Sequence, residues 1–405
     1  MKTKQPSLVF DLGLLTVLRA VLQTITRMVY PFLAVFARGM GVQITAVTTA
    51  LGISMLTALL GPLLAPLSDR YGRRAGILLG VSIFTLSAAL VAVFPGFPAF
   101  AVSLFLGNLA INIFLPAVFA FLSDRTSYDR RGFVMGIFEI SWAASFLIVV
   151  PLMGVLIQNY GWQSAFTALA LLGMIGIVSV IAFIPGSHPP AAAKAGEGVH
   201  LAAVFTSRNA LLLMAFGLFF AMGNELISVM FGVWIEDTFA LQIAALGAAS
   251  AILGLSELGG EGLSAAITDR FGKERTVALG ILINIIALAA FPLLRDTYAG
   301  AISWLFVIYF SFELAMVSSI ALASEVMPAM RATLLAAYIA SHAIARMLGD
   351  MAAPYLYSRG FWLNALVCLV FNVVALIILR SIRVKNAPLQ TSLIDHELPE
   401  IHEIR

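Results

Sequence analysis

The sequence is poor in charge and almost without cysteine. Of 405 residues, 11% are Asp, Glu, Lys or Arg, 61% are hydrophobic, and one, Cys368, is a cysteine. Soluble domains average about 45–50% apolar and about 25% charged residues, so a water-soluble globular chain is excluded. The mean hydropathy of +0.99 makes lipid the solvent for most of the chain. A single cysteine rules out an intramolecular disulfide and leaves the redox compartment open. The sequence contains no G-x-x-x-x-G-K-[ST] loop, no H-E-x-x-H helix, no G-x-S-x-G turn and no His/Cys/Asp cluster at metal-ligand spacing. These gaps speak against ATP-driven work, metal-dependent proteolysis and serine hydrolysis. The expectation is a protein that is not an enzyme and uses no cofactor. The formal charge of +3 could suggest nucleic acid, but the placement of the basic residues points elsewhere.

Twelve apolar stretches have the length of a membrane helix: 8–37, 43–67, 75–94, 97–122, 132–158, 162–184, 208–234, 242–268, 276–294, 299–322, 332–356 and 361–380. The first follows Lys2 and Lys4 but is too long, and too interrupted by Asp11, Arg19 and Arg27, for a signal peptide; it is read as a retained span. With an even number of spans both termini share a side. Of the 24 Lys and Arg residues, eighteen fall in segments on that side. Arg38, Arg295 and Arg359 lie opposite, and Arg19, Arg27 and Arg346 lie within spans. By the positive-inside rule the termini are cytoplasmic, in the plasma membrane of the cell (the inner membrane where there are two). The basic excess thus reports orientation, and no nucleic-acid partner is implied.

The chain repeats itself. A shift of 200 residues lays SDRYGRR (68–74) on TDRFGKE (268–274), Arg131 on Arg331 and Trp162 on Trp362, as expected for a duplicated architecture. The expected fold class is an all-α polytopic membrane protein with twelve transmembrane helices in two pseudo-symmetric six-helix bundles. These occupy 1–184 and 208–383, joined by a Pro/Gly/Ala-rich cytoplasmic linker (185–207) and followed by an acidic cytoplasmic tail (384–405).

Two six-span halves, a linker and a D-R-x-G-R-R loop with a weaker second copy resemble the major facilitator superfamily, and within it the bacterial drug/proton antiporter-like members. The resemblance covers essentially the whole chain. It implies alternating access and a cytoplasmic gate formed by Asp69, Arg70, Gly72, Arg73 and Arg74, with Asp269, Arg270 and Gly272 in the second copy. A carboxylate at Asp69 suits the free N–H groups at the start of span 11, and Asp269 those at the start of span 5. The family's Gly four residues before each Asp is Ala65 and Ala265 here. The Arg that exporters often carry in span 4 is Leu104, and of the antiporter pattern of span 5 Pro151 and Gly154 remain.

Ionisable residues inside spans are costly and mark pathways or partners. They are Asp11, Arg19 and Arg27 (span 1), Glu139 (span 5), Glu225 (span 7), Glu257 and Glu261 (span 8), Glu313 (span 10), and His342, Arg346 and Asp350 (span 11); spans 3, 6, 9 and 12 have none. In the family's architecture spans 1, 4, 7 and 10 line the cavity, and 3, 6, 9 and 12 face lipid. Arg19, Gln23 and Arg27 fall on one face of span 1. Depth pairs Arg19 with Glu139, and Arg27 or Arg346 with Glu225 or Asp350, while Asp11 is expected to be solvated near the surface. Candidate substrate contacts are Arg19, Gln23, Arg27, Tyr30, Asn108, Asn112, Asn224 and Tyr338, with Trp142 and Trp234 as further aromatics. Candidate proton-coupling residues are Glu225, Glu313, Glu257, Glu261, Glu139, His342, Arg346 and Asp350. No metal site is expected.

Without a nucleotide site, transport must draw on an ion or substrate gradient. The favoured expectation is a proton-coupled antiporter exporting an amphipathic, drug-like or lipid-like small molecule, monomeric in the bilayer and powered by the proton gradient. The alternative is a symporter or uniporter for an anionic or zwitterionic solute held by Arg19 and Arg27.

Overall fold

A computed structural model describes residues 8–61, 64, 70–127, 130–186 and 201–382. Asp69, Ala65, most of the linker and the acidic tail lie outside the described residues. Among the described residues, nine helices are long and apolar enough to cross a membrane. The other spans fall short for readable reasons. Span 2 is described as Ile44–Met55 continued by a 3-10 turn, Leu56–Leu60. Span 9 divides into Lys273–Ala289 and Phe291–Leu294. Span 11, Arg331–Tyr357, carries Arg331, Arg346 and Asp350.

Span 1 is two helices, Leu8–Arg27 and Val29–Met40. The break has a covalent cause: Pro31 has no N–H and its ring crowds the carbonyl four residues back, at Arg27. Span 7 is also broken, into Arg208–Ser228 and Phe231–Phe239, one repeat further on but with no proline. In its place Gly232 lets the backbones of spans 1 and 7 meet: a Cβ there would sit 2.5 Å from the Tyr30 carbonyl oxygen. Discontinuous helices paired in the two halves are a feature of transporters that bind near the midplane. Span 5, Arg131–Tyr160, widens into a π-helical turn at Ser145–Val149. Pro151 explains it, since Leu147 loses its normal amide partner.

Spans 3 (Arg73–Val93), 4 (Phe97–Asp124) and 6 (Gln163–Phe183) pack with span 1, while spans 7, 9, 10 (Tyr298–Val326), 11 and 12 (Phe361–Leu379) pack among themselves. Spans 6 and 12 are the most exposed of the long helices, 28% and 33% buried against 61% for the first helix of span 1, and Leu171, Ile175, Val178, Leu366, Val370 and Ile377 point outward. Their lack of charge matches a lipid-facing position.

Three seams join the two groups: span 1 on span 7, span 2 on span 11, and span 5 on span 8, Ile243–Phe271. All three are tight toward the end bearing residues 40 and 240. Cβ atoms built at Gly52, Gly154 and Gly232 would press on Met347, Gly247 and Pro31 across the respective seams. Gln158 accepts from the Ala244 amide at 2.9 Å, and Arg38 pairs with Glu236 at 2.5 Å. At the other end, bearing residues 72 and 272, the ion pairs Arg73–Asp124, Arg125–Asp11 and Lys273–Glu325 each stay within one group of spans. The molecule is closed at the 40/240 end.

Candidate transport site

A central cavity of about 290 Å³ lies between the halves. Span 1 contributes Arg19, Arg27 and Tyr30, span 5 Glu139, Trp142 and Phe146, span 7 Asn224 and Glu225, span 8 Glu257 and Glu261, span 10 Phe312, Glu313 and Met316, and span 11 His342 and Arg346. Most of the charge-bearing candidates therefore converge on one space.

Their pairing is specific. Arg19 donates to Glu139 at 2.8 Å, as depth suggests. Arg27 does not reach Glu225 or Asp350. It crosses to span 8, where its Nη2 donates to both Glu257 oxygens at 2.7 and 2.6 Å, with both side chains almost fully buried. Its guanidinium also stacks on Phe146 and Trp142, 3.8 and 4.1 Å from the ring centroids, an arrangement that stabilises a desolvated cation. Arg346 Nε donates to Glu225 at 2.9 Å and its Nη2 to the Tyr30 hydroxyl at 2.5 Å, while that hydroxyl donates to Glu225 at 2.6 Å. Tyr30 thus ties the N-terminal half to an acid and a base of the C-terminal half. Glu261 and Glu313 line the same cavity and have no ion-pair partner among the described residues.

Several candidates lie elsewhere. Asn108 and Asn112 do not line the cavity: they donate to Ser54 and Thr57 of span 2 at 2.7 and 3.1 Å, because that face of span 4 is the one span 2 covers. Tyr338 is fully buried in the packing of spans 7, 10 and 11 and shares a hydrogen bond with Ser319. Gln23 is buried beside the cavity wall without lining it. Trp234 stacks on Phe361 at 4.5 Å within a cluster of aromatics, which makes it core. Asp11 is not solvated but fully buried, paired with Arg125, because the first turn of span 1 packs under span 4. His342 lines the cavity but commits Nδ1 to the Tyr338 carbonyl at 2.9 Å. Asp350 is fully buried outside the lining.

At the 72/272 end, Gly72 and Gly272 take φ of 92° and 99° with extended ψ, a region open essentially to glycine, so the repeat fixes a shared turn. Arg73 pairs with Asp124 at 3.3 Å and Arg74 donates to the Ile181 carbonyl. Asp269 and Arg270 are exposed. Asp269 makes no ion pair among the described residues. Sequence reasoning missed the aromatic walls Phe146, Tyr309 and Phe312, since in a chain with 29 Phe an aromatic carries no positional signal.

The family model described as Major Facilitator Superfamily matches residues 15–350. The uncharacterized MFS-type transporter YceJ of Bacillus subtilis (strain 168) is 24% identical over 313 residues, covering 76% of this chain and 78% of YceJ. A bacterial homolog of the human lysosomal transporter Spinster, in an inward-facing and unoccupied conformation, superposes with a TM-score of 0.76 at 14% identity over 94% of this chain and 98% of that one. A D-xylose-proton symporter does so with a TM-score of 0.74 at 15% identity over 92% and 97%.

Proposed function

The chain belongs to the Major Facilitator Superfamily, as an integral membrane secondary transporter and not an enzyme, and from that premise we propose that it is a proton-coupled antiporter exporting an amphipathic small molecule. The observation that carries the reading is the charge balance of the cavity. Arg19, Arg27 and Arg346 are all occupied by Glu139, Glu257 and Glu225, leaving Glu261 and Glu313 on walls of Phe146, Phe312 and Met316. The cavity lining thus holds two more carboxyl groups than guanidinium groups, and the two without an ion-pair partner among the described residues call for neutralisation by a proton or a cationic ligand. Exchange of one for the other at a shared site is antiport, and the aromatic walls suit a ligand with a large apolar body.

Orientation follows from the basic residues. With the positive-rich segments inside, the closed 40/240 end faces out and the cavity opens to the cytoplasm, where an exporter loads. An anionic solute would have to displace Glu257 from Arg27, abandoning a pair with two short hydrogen bonds.

The test is flux in proteoliposomes carrying an imposed pH gradient, with amphipathic cationic dyes as probes and internal pH followed continuously. Dye movement opposite to proton movement is expected, with at least a tenfold lower rate in Glu313→Gln. Full gradient-driven flux in Glu313→Gln and in Glu261→Gln would remove the proton sites assigned here. Proton and solute moving in the same direction would reverse the reading to symport.

A further inference from the structure

Asp350 stands one helical turn from Arg346 on span 11 and is completely buried. Neither of its oxygens has a hydrogen-bond donor among the described residues. An ionised carboxyl so placed carries a desolvation cost that no hydrogen bond offsets. A neutral one does not, and the Glu225 side chain, which packs against span 11 at the adjacent Gly349 and bonds Arg346 one turn away, is placed to accept its O–H. Glu225 is at the same time held in its acceptor form by the Tyr30 hydroxyl at 2.6 Å and by Arg346 Nε at 2.9 Å. The titratable and charged groups facing Asp350 are Glu225, Arg346 and Tyr30. Span 2, whose Gly52 backs directly onto the Asp350 Cβ, and span 12 carry no charged residue in their described helices. Two acids and one arginine therefore share a site at the cavity wall that has one positive charge to balance one negative charge.

We propose that Asp350 holds a further proton, apart from those on the cavity acids Glu261 and Glu313, while the 40/240 end is closed, and that its release is what loosens that end. The step balances simply. The Asp350 O–H bond breaks as Glu225 takes the proton, and Glu225, which lines the cavity, passes it to cavity water. Two carboxylates then compete for Arg346. As the guanidinium swings toward Asp350 it leaves Tyr30, and the hydrogen bond from span 1 to span 11 is lost, so that Tyr30 holds the C-terminal half through Glu225 of span 7 alone. Asp350 lies on the seam against Gly52 and Met347, so the new charge appears where spans 2 and 11 must part. The site rests on the antiporter reading for the work the proton does, and on geometry alone for where the proton sits.

The experiment is infrared difference spectroscopy of the full-length protein in phosphatidylcholine vesicles, titrating pH without substrate. Spin labels at the exposed positions Gln43 and Gln242 report the separation of the halves in parallel. A protonated-carboxyl band that titrates together with the label distance is expected. It should vanish in Asp350→Asn, shift in Asp350→Glu and persist in Glu313→Gln, with the label distance in Asp350→Asn fixed at the short value across pH. Asp350→Glu keeps an acid at the position and guards against a simple folding failure. An unchanged band in Asp350→Asn, or a pH response of the label distance that survives that change, would overturn the proposal even if antiport is found. Loss of the band together with absence of antiport would leave the proton site standing and remove the functional reading alone.

Discussion

At the residue scale the Arg27–Glu257 pair bears most on the energetics, since both members are almost fully buried and they join the two halves. Removing one member of such a pair leaves an uncompensated charge, at a cost of about 3–5 kcal/mol, whereas replacing both by apolar side chains of similar volume is often close to neutral. Arg27→Ala is therefore expected to lower the midpoint of thermal unfolding in detergent by several degrees, and Arg27→Met with Glu257→Leu to recover most of the loss. Equal losses in the single and double variants would mean that the pair is not the unit. How much of this was legible depended on geometry that one helix can carry. Arg19 and Glu139 sit at one depth in one half, and depth alone found the pair. Arg27 has acids at its depth on several spans, and the choice of Glu257 is made by how span 8 crosses span 1, which no local pattern encodes. Asp11 misled for the same reason: its place near a span end says surface, and only the packing of span 4 over that turn, with Arg125 beneath it, says otherwise.

Elements were the most readable level, because twenty apolar residues and a repeat need no tertiary information. The breaks were half readable. Pro31 announces the one in span 1; the one in span 7 has no proline and shows itself through Gly232, whose missing side chain is filled by the Tyr30 and Pro31 backbone. A contact to main-chain atoms at 2.5–2.6 Å cannot be relieved by a rotamer change. Gly232→Val is therefore expected to exclude the closed arrangement of spans 1 and 7 and to shift the population toward opening at the 40/240 end. Labels at Gln43 and Gln242 should then report a longer mean distance, and labels at Tyr71 and Phe271, both exposed at the other end, a shorter one. Unchanged distances at both ends would show that the seam has slack that the backbone contact does not suggest. A second position tests the repeated turn: at Gly72, with φ of 92°, Gly72→Ala should cost about 1–3 kcal/mol, read as a lower unfolding midpoint than Gly132→Ala, where a Cβ meets nothing within 4 Å.

Over the whole molecule, duplication sets the plan and charge sets the direction. The 200-residue offset brings out both the D-R-x-G loops and the paired breaks near Met28 and Met230, so each half repeats one scaffold and the asymmetry between them lies in the buried charges. Arg19 and Arg27 stand on span 1, whereas span 7 carries Glu225. Orientation in the membrane comes from neither fold nor cavity, because the same bundle inserted the other way would carry its substrate in the opposite direction. It rests on the eighteen basic residues that the sequence places on the side of the termini. Cys368, the lone cysteine, is buried against Asn372, so the natural chain offers a nearly silent background for thiol labelling. Arg275→Cys and Arg359→Cys lie at opposite ends, both exposed. In intact cells a membrane-impermeant maleimide is expected to label Arg359→Cys and to leave Arg275→Cys unmodified until the membrane is opened, when both should react and the natural chain should not. The reverse pattern would place the closed 40/240 end toward the cytoplasm, and the proposed transport direction would invert with it while the charge balance of the cavity stayed as it is.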